Sequence, residues 1–459
     1  MTNEPKRAKS RRKPAASPDN APPVYFLSLE VERVLCFKDR QVLDLSDGNG
    51  NPAQWTVILG DNGVGKTTLL RCLAALETGT FEDAKGVKAV FPSLVVPSVS
   101  NIYWAELSTL ADENARISAK FSCIAALSSL KKLLSSHTQK HPEQYAFEDI
   151  QVFVGSHYSV SNKALEGLVC YGYGASRRMG DTFLSEGLNS ENSASLFSDK
   201  VSLINAEEWL LQTDYAARSV SKQMHNQFAL QLNQVMEILK RILPDIEDLR
   251  IITEENSYPR AEFLTPYGWV RLSSLGLGYR TSIAWMVDLA VRLFRRYPDS
   301  KDPLAEPAIV LVDEIDLHLH PKWQRNIMSF LTERFPNTQF IVTAHSPLVV
   351  QAAKDANIVL LRREGDRVVI DNDPEIVENW RVDQVLTSVF ELPTARPASL
   401  EPLLTRRQEI LSRARLSKAD EAELQQLETQ IGSLPTAETP DDIKAMDIIR
   451  RAAQLLENS

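Results

Sequence analysis

Three strand ends predict an α/β fold built on a parallel sheet. Trp55-Thr56-Val57-Ile58-Leu59 runs into Gly60-Asp61-Asn62-Gly63-Val64-Gly65-Lys66-Thr67. Ala308-Ile309-Val310-Leu311-Val312 ends in Asp313-Glu314, and Phe340-Ile341-Val342-Thr343 leads to Ala344-His345-Ser346-Pro347. Short, wholly apolar runs read as strands covered on both faces. In open α/β sheets, ligands collect where such strands end.

The first segment fits the phosphate-loop pattern G-x-x-x-x-G-K-[ST] at every fixed position. It is flanked as the pattern requires, by the strand before it and by the helical run Thr68-Leu69-Leu70-Arg71-Cys72-Leu73-Ala74-Ala75-Leu76 after it. Glycines let backbone N–H groups converge on an anion, and the helix N-terminus adds positive potential. Lys66 would reach the β- and γ-phosphates and the Thr67 hydroxyl a Mg²⁺. The second segment has the Walker B arrangement. A carboxylate at a strand end beside the phosphate loop reaches the metal, and its neighbour can polarise an attacking water.

The chain has 459 residues, enough for roughly three domains or one enlarged α/β domain. Hydrophobic residues make up 43% and charged residues 24%, which indicates neither wholesale disorder nor a membrane protein. The N-terminus lacks the apolar stretch of a secretory signal, and a cytoplasmic location is expected. The four cysteines, Cys36, Cys72, Cys123 and Cys170, show no C-x-x-C spacing, so free thiols are expected, with Cys36, Cys72 and Cys170 in apolar segments. A net charge of −9 argues against a uniformly basic, DNA-coating surface. Lys6, Arg7, Lys9, Arg11, Arg12 and Lys13 nevertheless crowd a Pro/Ala/Ser-rich leader expected to be disordered over residues 1–23. That leader reads equally as a nucleic-acid contact or a solubilising tail.

In chain order, residues 24–45 alternate as paired strands do, and Asp47-Gly48-Asn49-Gly50-Asn51-Pro52 forms a turn cluster. Strands are expected at 115–124 and 148–154, with an amphipathic helix over 125–136 and His137 and His141 in a solvent-facing loop. Leu168-Val169-Cys170-Tyr171 is strand-like and enters Gly172-Tyr173-Gly174-Ala175-Ser176-Arg177-Arg178, which is either part of an anion site or a glycine turn with solvated arginines. Residues 206–243 have a helical period, within an insertion expected at about 180–245. Short strands follow at 249–253, 261–265 and 269–272. The loop Leu272-Ser273-Ser274-Leu275-Gly276-Leu277-Gly278-Tyr279-Arg280 opens a helix and is a second ready-made anion site. One helix is expected from Pro321 through Trp323, Ile327, Phe330 and Leu331, and a hairpin over 358–370 turning at Glu364-Gly365-Asp366.

Phosphate loop, serine/glycine loop, Walker B and strand-end histidine, in that order, resemble the ATP-binding cassette superfamily. The similarity is to the branch of the SMC, Rad50, RecF and OLD-like ATPases, over about residues 24–360. Asp313-Glu314-Ile315-Asp316-Leu317-His318-Leu319-His320-Pro321 with Thr343-Ala344-His345-Ser346-Pro347 looks like the AAA-family ATPases of bacterial phage-defence systems, including the Septu and PARIS ATPases. The resemblance implies a cassette-type ATPase head over 24–375, a mixed sheet with a helical insertion, followed by a helical C-terminal region over 376–459. It implies ATP and Mg²⁺ as cofactors, with Asn62, Gly63, Val64, Gly65, Lys66, Thr67 and Thr68 on the nucleotide and Thr67 and Asp313 on the metal. Glu314 would be the catalytic carboxylate and His345 the γ-phosphate switch. Gly276 and Gly278 would reach the nucleotide of a second copy, so a homodimer or higher homo-oligomer is expected. ATP binding would join the copies and hydrolysis release them.

The chain departs from the family pattern in places. Gly276 falls near the signature serine, with Ser273 and Ser274 as alternatives, His320 stands at a common aspartate position, and no glutamine matches the Q-loop. Slow or partner-triggered turnover would follow. Asp371-Asn372-Asp373 raises a TOPRIM nuclease, but the helical pattern beyond Trp380 leaves no β/α segments to build one, so an effector, a nuclease or toxin, should be a separate polypeptide. Ser417 reads as an N-cap and Thr439-Pro440 as the start of a last helix. The favoured reading is a nucleotide-gated sensor or scaffold of a defence system. The alternative is a DNA-binding repair or maintenance ATPase. A transporter subunit is disfavoured, because residues 272–280 do not reproduce Leu-Ser-Gly-Gly-Gln.

Overall fold

The computed structural model describes residues 24–82, 88–92, 111–123, 147–153, 158–159, 168–180, 192–219, 222–243, 245–253, 258–374, 381–390, 392, 397–411 and 417–431. The leader, the helices expected at 125–136 and from Thr439, and His137 and His141 lie outside them.

The strands are β1 Val24–Val34, β2 Gln41–Asp44, β3 Trp55–Gly60, β4 Thr78–Glu82, β5 Lys88–Pro92, β6 Ala111–Cys123, β7 Phe147–Phe153, β8 Tyr158–Ser159, β9 Cys170–Tyr173, β10 Asp248–Ile252, β11 Arg260–Thr265, β12 Gly268–Arg271, β13 Ala308–Val312, β14 Thr338–Thr343, β15 Asn357–Glu364 and β16 Arg367–Asp371. The helices are α1 Lys66–Ala75, α2 Ala194–Phe197, α3 Ala206–Ser219, α4 Lys222–Ile242, α5 Leu277–Arg296, α6 Pro321–Gln324, α7 Ile327–Arg334, α8 Pro347–Ala352, α9 Val382–Ser388, α10 Glu401–Leu411 and α11 Lys418–Ile431.

The fold is mixed α/β around a six-stranded sheet of order β16-β15-β3-β14-β13-β9. Five of its strands are parallel and only β16 runs antiparallel. Every residue of β3, β13 and β14 is buried, which is why their sequences are mainly apolar and do not alternate. Parallel pairing brings the carboxyl ends of β9, β13, β14 and β3 to one edge of the sheet, and that edge carries the candidate site.

One face of this sheet, through Ile58, Ile309, Leu311, Ile341 and Val359, shares a core with α1 and with Phe26, Leu29 and Val31 of β1. β1 belongs to an antiparallel sheet of order β2-β1-β6-β7-β8; its first four residues are all buried, and from Leu27 to Glu32 buried and partly exposed residues alternate as in a strand with one covered face. Gln339, fully buried in β14, joins the two sheets: its Oε1 accepts from Phe26 N at 2.9 Å and its Nε2 donates to Phe26 O at 2.8 Å. A side-chain amide thereby replaces a missing strand neighbour, satisfying two backbone groups that burial would otherwise leave unpaired. Elsewhere in the sheet, Trp55 and Phe340 stack with centroids 4.3 Å apart, and Tyr173 of β9 meets Trp285 of α5 at 5.7 Å.

The helical period at 206–243 becomes α3 and α4, and the short strands after it form the antiparallel sheet β10-β11-β12. The hairpin at 358–370 is β15–β16. The single helix expected from Pro321 is instead two, α6 and α7. Asn326 breaks it, its Nδ2 donating to Lys322 O at 3.1 Å while its own N–H closes a turn on Trp323 O at 2.9 Å. Cys72 and Cys170 are buried free thiols, and burial pushes the Cys72 thiol up to about 12. Cys36 is only half-buried, because it sits against the phosphate loop.

The chain divides into two compact units, residues 1–382 and 383–459. In the second, Arg406 of α10 forks onto both carboxylate oxygens of Glu423 in α11 at 2.7 and 3.1 Å. Ser417 caps α11: its hydroxyl accepts from Asp420 N at 3.2 Å while its own N–H donates to Asp420 Oδ2 at 2.9 Å. Among the described residues, no helix is long and apolar enough to cross a membrane.

Candidate functional site

The phosphate loop joins β3 to α1 in a conformation that its glycines make accessible. Gly63 and Gly65 have φ of 80° and 91°, in the left-handed region that costs other residues about 1–2 kcal/mol. Gly65 also has no room for a side chain, since a Cβ there would lie 2.6 Å from Cys36 Sγ and 2.8 Å from the Phe37 ring. Cys36 in turn donates to Val64 O at 3.5 Å, so the turn after β1 braces the loop from behind. Asn62 and Gly63 are exposed at the tip, Val64 is buried, and Thr67 and Thr68 are half-buried in the first turn of α1.

Lys66 folds back over this loop. Its Nζ donates to the carbonyls of Gly60 and Asp61, both at 2.7 Å. Burial lowers the Lys66 pKa from its usual value, and Asp313, Glu314, Asp61 and Asp316 work against that shift. The result is a cation held by two carbonyls of its own loop, with no ion pair to it among the described residues.

The end of β13 meets the loop. Thr67 Oγ1 donates to Asp313 Oδ2 at 2.7 Å, and Thr343 Oγ1, at the end of β14, donates to Asp313 Oδ1 at 2.6 Å. Thr343 Oγ1 also accepts from Glu314 N at 2.7 Å. A hydroxyl and a carboxylate oxygen held this close form a hard-oxygen donor pair, the kind that Mg²⁺ takes together with phosphate oxygens and water. Glu314 follows with φ of 49°, half-buried, while Asp313 is 6% exposed. Asp316, 8% exposed, accepts His345 N on Oδ2 at 3.0 Å, and its Oδ1 has no hydrogen-bond partner among the described residues. His345 is half-buried just after β14, and Ser346 donates to Gln324 Oε1 at 2.7 Å.

Arg178 is exposed, as the glycine-turn alternative for residues 172–178 has it, but Arg177 departs from both alternatives. It is neither solvated nor part of an open anion site: it is 2% exposed, and it donates to Asp313 O and Glu314 O, each at 2.8 Å. Burial pushes its guanidinium down to about 10, against the pull of Asp313, Asp316 and Glu314, so it stays protonated near neutrality. The glycines of this segment serve close packing. A Cβ on Gly172 would lie 2.7 Å from Ser193 Cβ, and one on Gly174 would collide with the Ser195 carbonyl.

The second glycine loop lies against the turn that follows Asp313-Glu314. Gly278 packs on the His318 carbonyl, and Tyr279 meets Trp323 of α6 edge-on at 4.8 Å while donating to Asp245 Oδ2 at 2.8 Å. Gly276 is the N-cap of α5, with no side-chain cap on the helix. Ser273, Ser274, Gly276, Leu277 and Arg280 are exposed. His320 is the exposed N-cap of α6, its Nδ1 accepting from Lys322 N at 3.3 Å.

The structure therefore gathers the 62–68 loop, Asp313, Glu314 and His345 at one sheet edge and leaves Gly276 on an outward surface. Thr343 and Asp316 were not singled out as site residues, and Arg177 was read only as part of a possible anion site. The one signal available was an arginine four residues beyond a strand that ends between two glycines.

Two family descriptions match the chain, "AAA domain" over residues 28–250 and "AAA domain, putative AbiEii toxin, Type IV TA system" over residues 264–351. The chain carries AAA-family ATPase domains. Among its curated relatives, Retron Ec83 probable ATPase of Escherichia coli is 32% identical over 47% of this chain and 36% of its own length. Septu protein PtuA of Bacillus mycoides (strain KBAB4) is 26% identical over 76% of this chain and 42% of its own. Retron Vc95 probable ATPase of Vibrio cholerae serotype O1 biovar El Tor is 36% identical over 28% of this chain and 24% of its own. The chain thus spans well under two thirds of the length of each. Solved structures similar to it include an SMC head bound to the C-winged helix domain of ScpA, 15% identical with a TM-score of 0.42 over 76% of this chain and 97% of the other. An SMC head domain from Thermotoga maritima is 14% identical with a TM-score of 0.37 over 76% and 98%.

Proposed function

We propose that this chain binds and hydrolyses ATP as a dimerising ATPase, and that it is the nucleotide-gated sensor or scaffold of a bacterial anti-phage defence system controlling a separately encoded effector. The observation that carries the ATPase reading is the hydrogen-bonded chain from Thr67 through Asp313 and Thr343 to the Glu314 amide, beside a lysine enclosed by its own phosphate loop. The retron and Septu relatives motivate the defence context.

In this reading the nucleotide's phosphates enter the loop, and Lys66 exchanges the carbonyls of Gly60 and Asp61 for phosphate oxygens, a stronger charge-assisted pairing. Thr67 and Asp313 are the residues that would hold Mg²⁺, which when bound supplies charge neutralisation on the phosphates. Glu314 orients and deprotonates the attacking water, and His345, its backbone tied to Asp316, senses whether the γ-phosphate is present. The uncapped first turn of α5, with exposed Gly276 and Arg280, offers amides and a cation to the nucleotide of a second copy. Only unhydrolysed nucleotide touches both copies, so hydrolysis opens the pair.

The test is Glu314→Gln, measured by light scattering with ATP. The variant is expected to bind ATP, to turn over roughly 100-fold more slowly, and to double its mass with ATP. A variant that hydrolyses at the wild-type rate refutes Glu314 as the carboxylate. One that binds ATP without gaining mass, in a protein monomeric without nucleotide, refutes the sandwich.

A further inference from the structure

Glu314 does not choose its own direction. Its φ of 49° places a non-glycine residue in left-handed backbone, where it persists only if its surroundings hold it. Its N–H is fixed by Thr343 Oγ1 and its carbonyl by Arg177 Nη2 at 2.8 Å, while Nη1 of the same guanidinium holds the Asp313 carbonyl at 2.8 Å. Arg177 is itself strained, with φ of 33°. A planar fork thus clamps two consecutive carbonyls, and the peptide between Asp313 and Glu314 cannot rotate without breaking one of the two bonds.

We propose that Arg177 is a positioning residue for ATP hydrolysis, acting through the backbone of Asp313 and Glu314 to aim the Glu314 carboxylate. The inference rests on the ATPase reading above. The strand that leads to the clamp is itself anchored: four residues before Arg177, the Tyr173 hydroxyl donates to Asp288 Oδ2 at 3.0 Å, and Arg292 Nε of the same helix, α5, donates to that oxygen at 2.6 Å.

Arg177 Nε, buried without a hydrogen-bond partner among the described residues, fits a side chain placed for its two terminal nitrogens rather than for full satisfaction. Neutralising the acidic cluster would require only a cation, and lysine would serve. Clamping two carbonyls requires the fork.

Arg177→Lys separates the two roles. Single-turnover hydrolysis and affinity for a fluorescent ATP analogue are measured in the full chain, in the wild-type and Glu314→Gln backgrounds. The lysine variant is expected to keep its affinity within about 3-fold, to lose roughly 10- to 100-fold in turnover, and to lose nothing further when Glu314 is already glutamine. Turnover within about 3-fold of wild type, loss of affinity in step with turnover, or an equal loss in both backgrounds overturns the proposal. Arg177→Gln is the second variant, and failure of both to fold assigns Arg177 a purely structural role. A wild type that neither binds the ATP analogue nor hydrolyses ATP refutes the ATPase reading itself, an outcome distinct from active wild type with indifferent variants.

Discussion

The two glycine loops that open helices use glycine for different reasons. In the phosphate loop the backbone demands it: Gly63 has φ of 80° with nothing within 4 Å of a Cβ, and the loop closes on its own lysine. In the loop before α5 space demands it. Gly278 does not occupy the left-handed region, but its α-carbon lies against the His318 carbonyl. The first loop is turned inward and finds its partners in its own chain. The second carries exposed Leu277, 53% accessible, and an uncapped helix start. In the proposed reading, the first loop is the half of a nucleotide site that each copy supplies by itself, and the second is the half offered to a partner.

The comparison can be broken at four points, beginning with the largest expected effect. Lys66→Ala removes the cation of the inward loop and should weaken ATP binding by roughly 2–5 kcal/mol, which titration calorimetry would register as lost binding. Retained tight binding would mean that the loop is not the phosphate seat. Gly278→Ala should destabilise the fold by about 1–3 kcal/mol, seen as a lower Tm, because the His318 carbonyl is backbone and cannot swing aside. An unchanged Tm would show that the two turns are not tightly packed.

Gly63→Ala is the opposite case. It has open space but an unfavourable φ, so about 1–2 kcal/mol of strain is expected in denaturant unfolding. Nucleotide affinity should fall with it. Gly276→Ala is expected to be silent in stability, since the nearest atom to its Cβ is Tyr279 Cδ2 at 3.9 Å. It should nevertheless reduce ATP-dependent association, measured by sedimentation. A Tm loss there, with association intact, would place Gly276 in the fold rather than at a partner surface.

What could be read from sequence was whatever is written contiguously. The phosphate loop packs strand, glycines, lysine and helix into one stretch, and β13 announces itself by five apolar residues ending in acid. Arg177 was not legible, because its meaning depends on carbonyls 136 and 137 positions away that meet it only once β9 pairs with β13. The same holds for Gly172 and Gly174, which suggested an anion site but accommodate Ser193 and Ser195. The break between α6 and α7 was hidden for another reason. Asn326 lies in an otherwise helical apolar period, and periodicity cannot report a side chain that bonds back to its own backbone.

Lys66 reaches back to the carbonyls of Gly60 and Asp61, so the loop is held in shape by a side chain that follows it in sequence. Shortening that side chain would leave two inward-turned carbonyls without their donor, and the loop would lose its internal brace together with a charge.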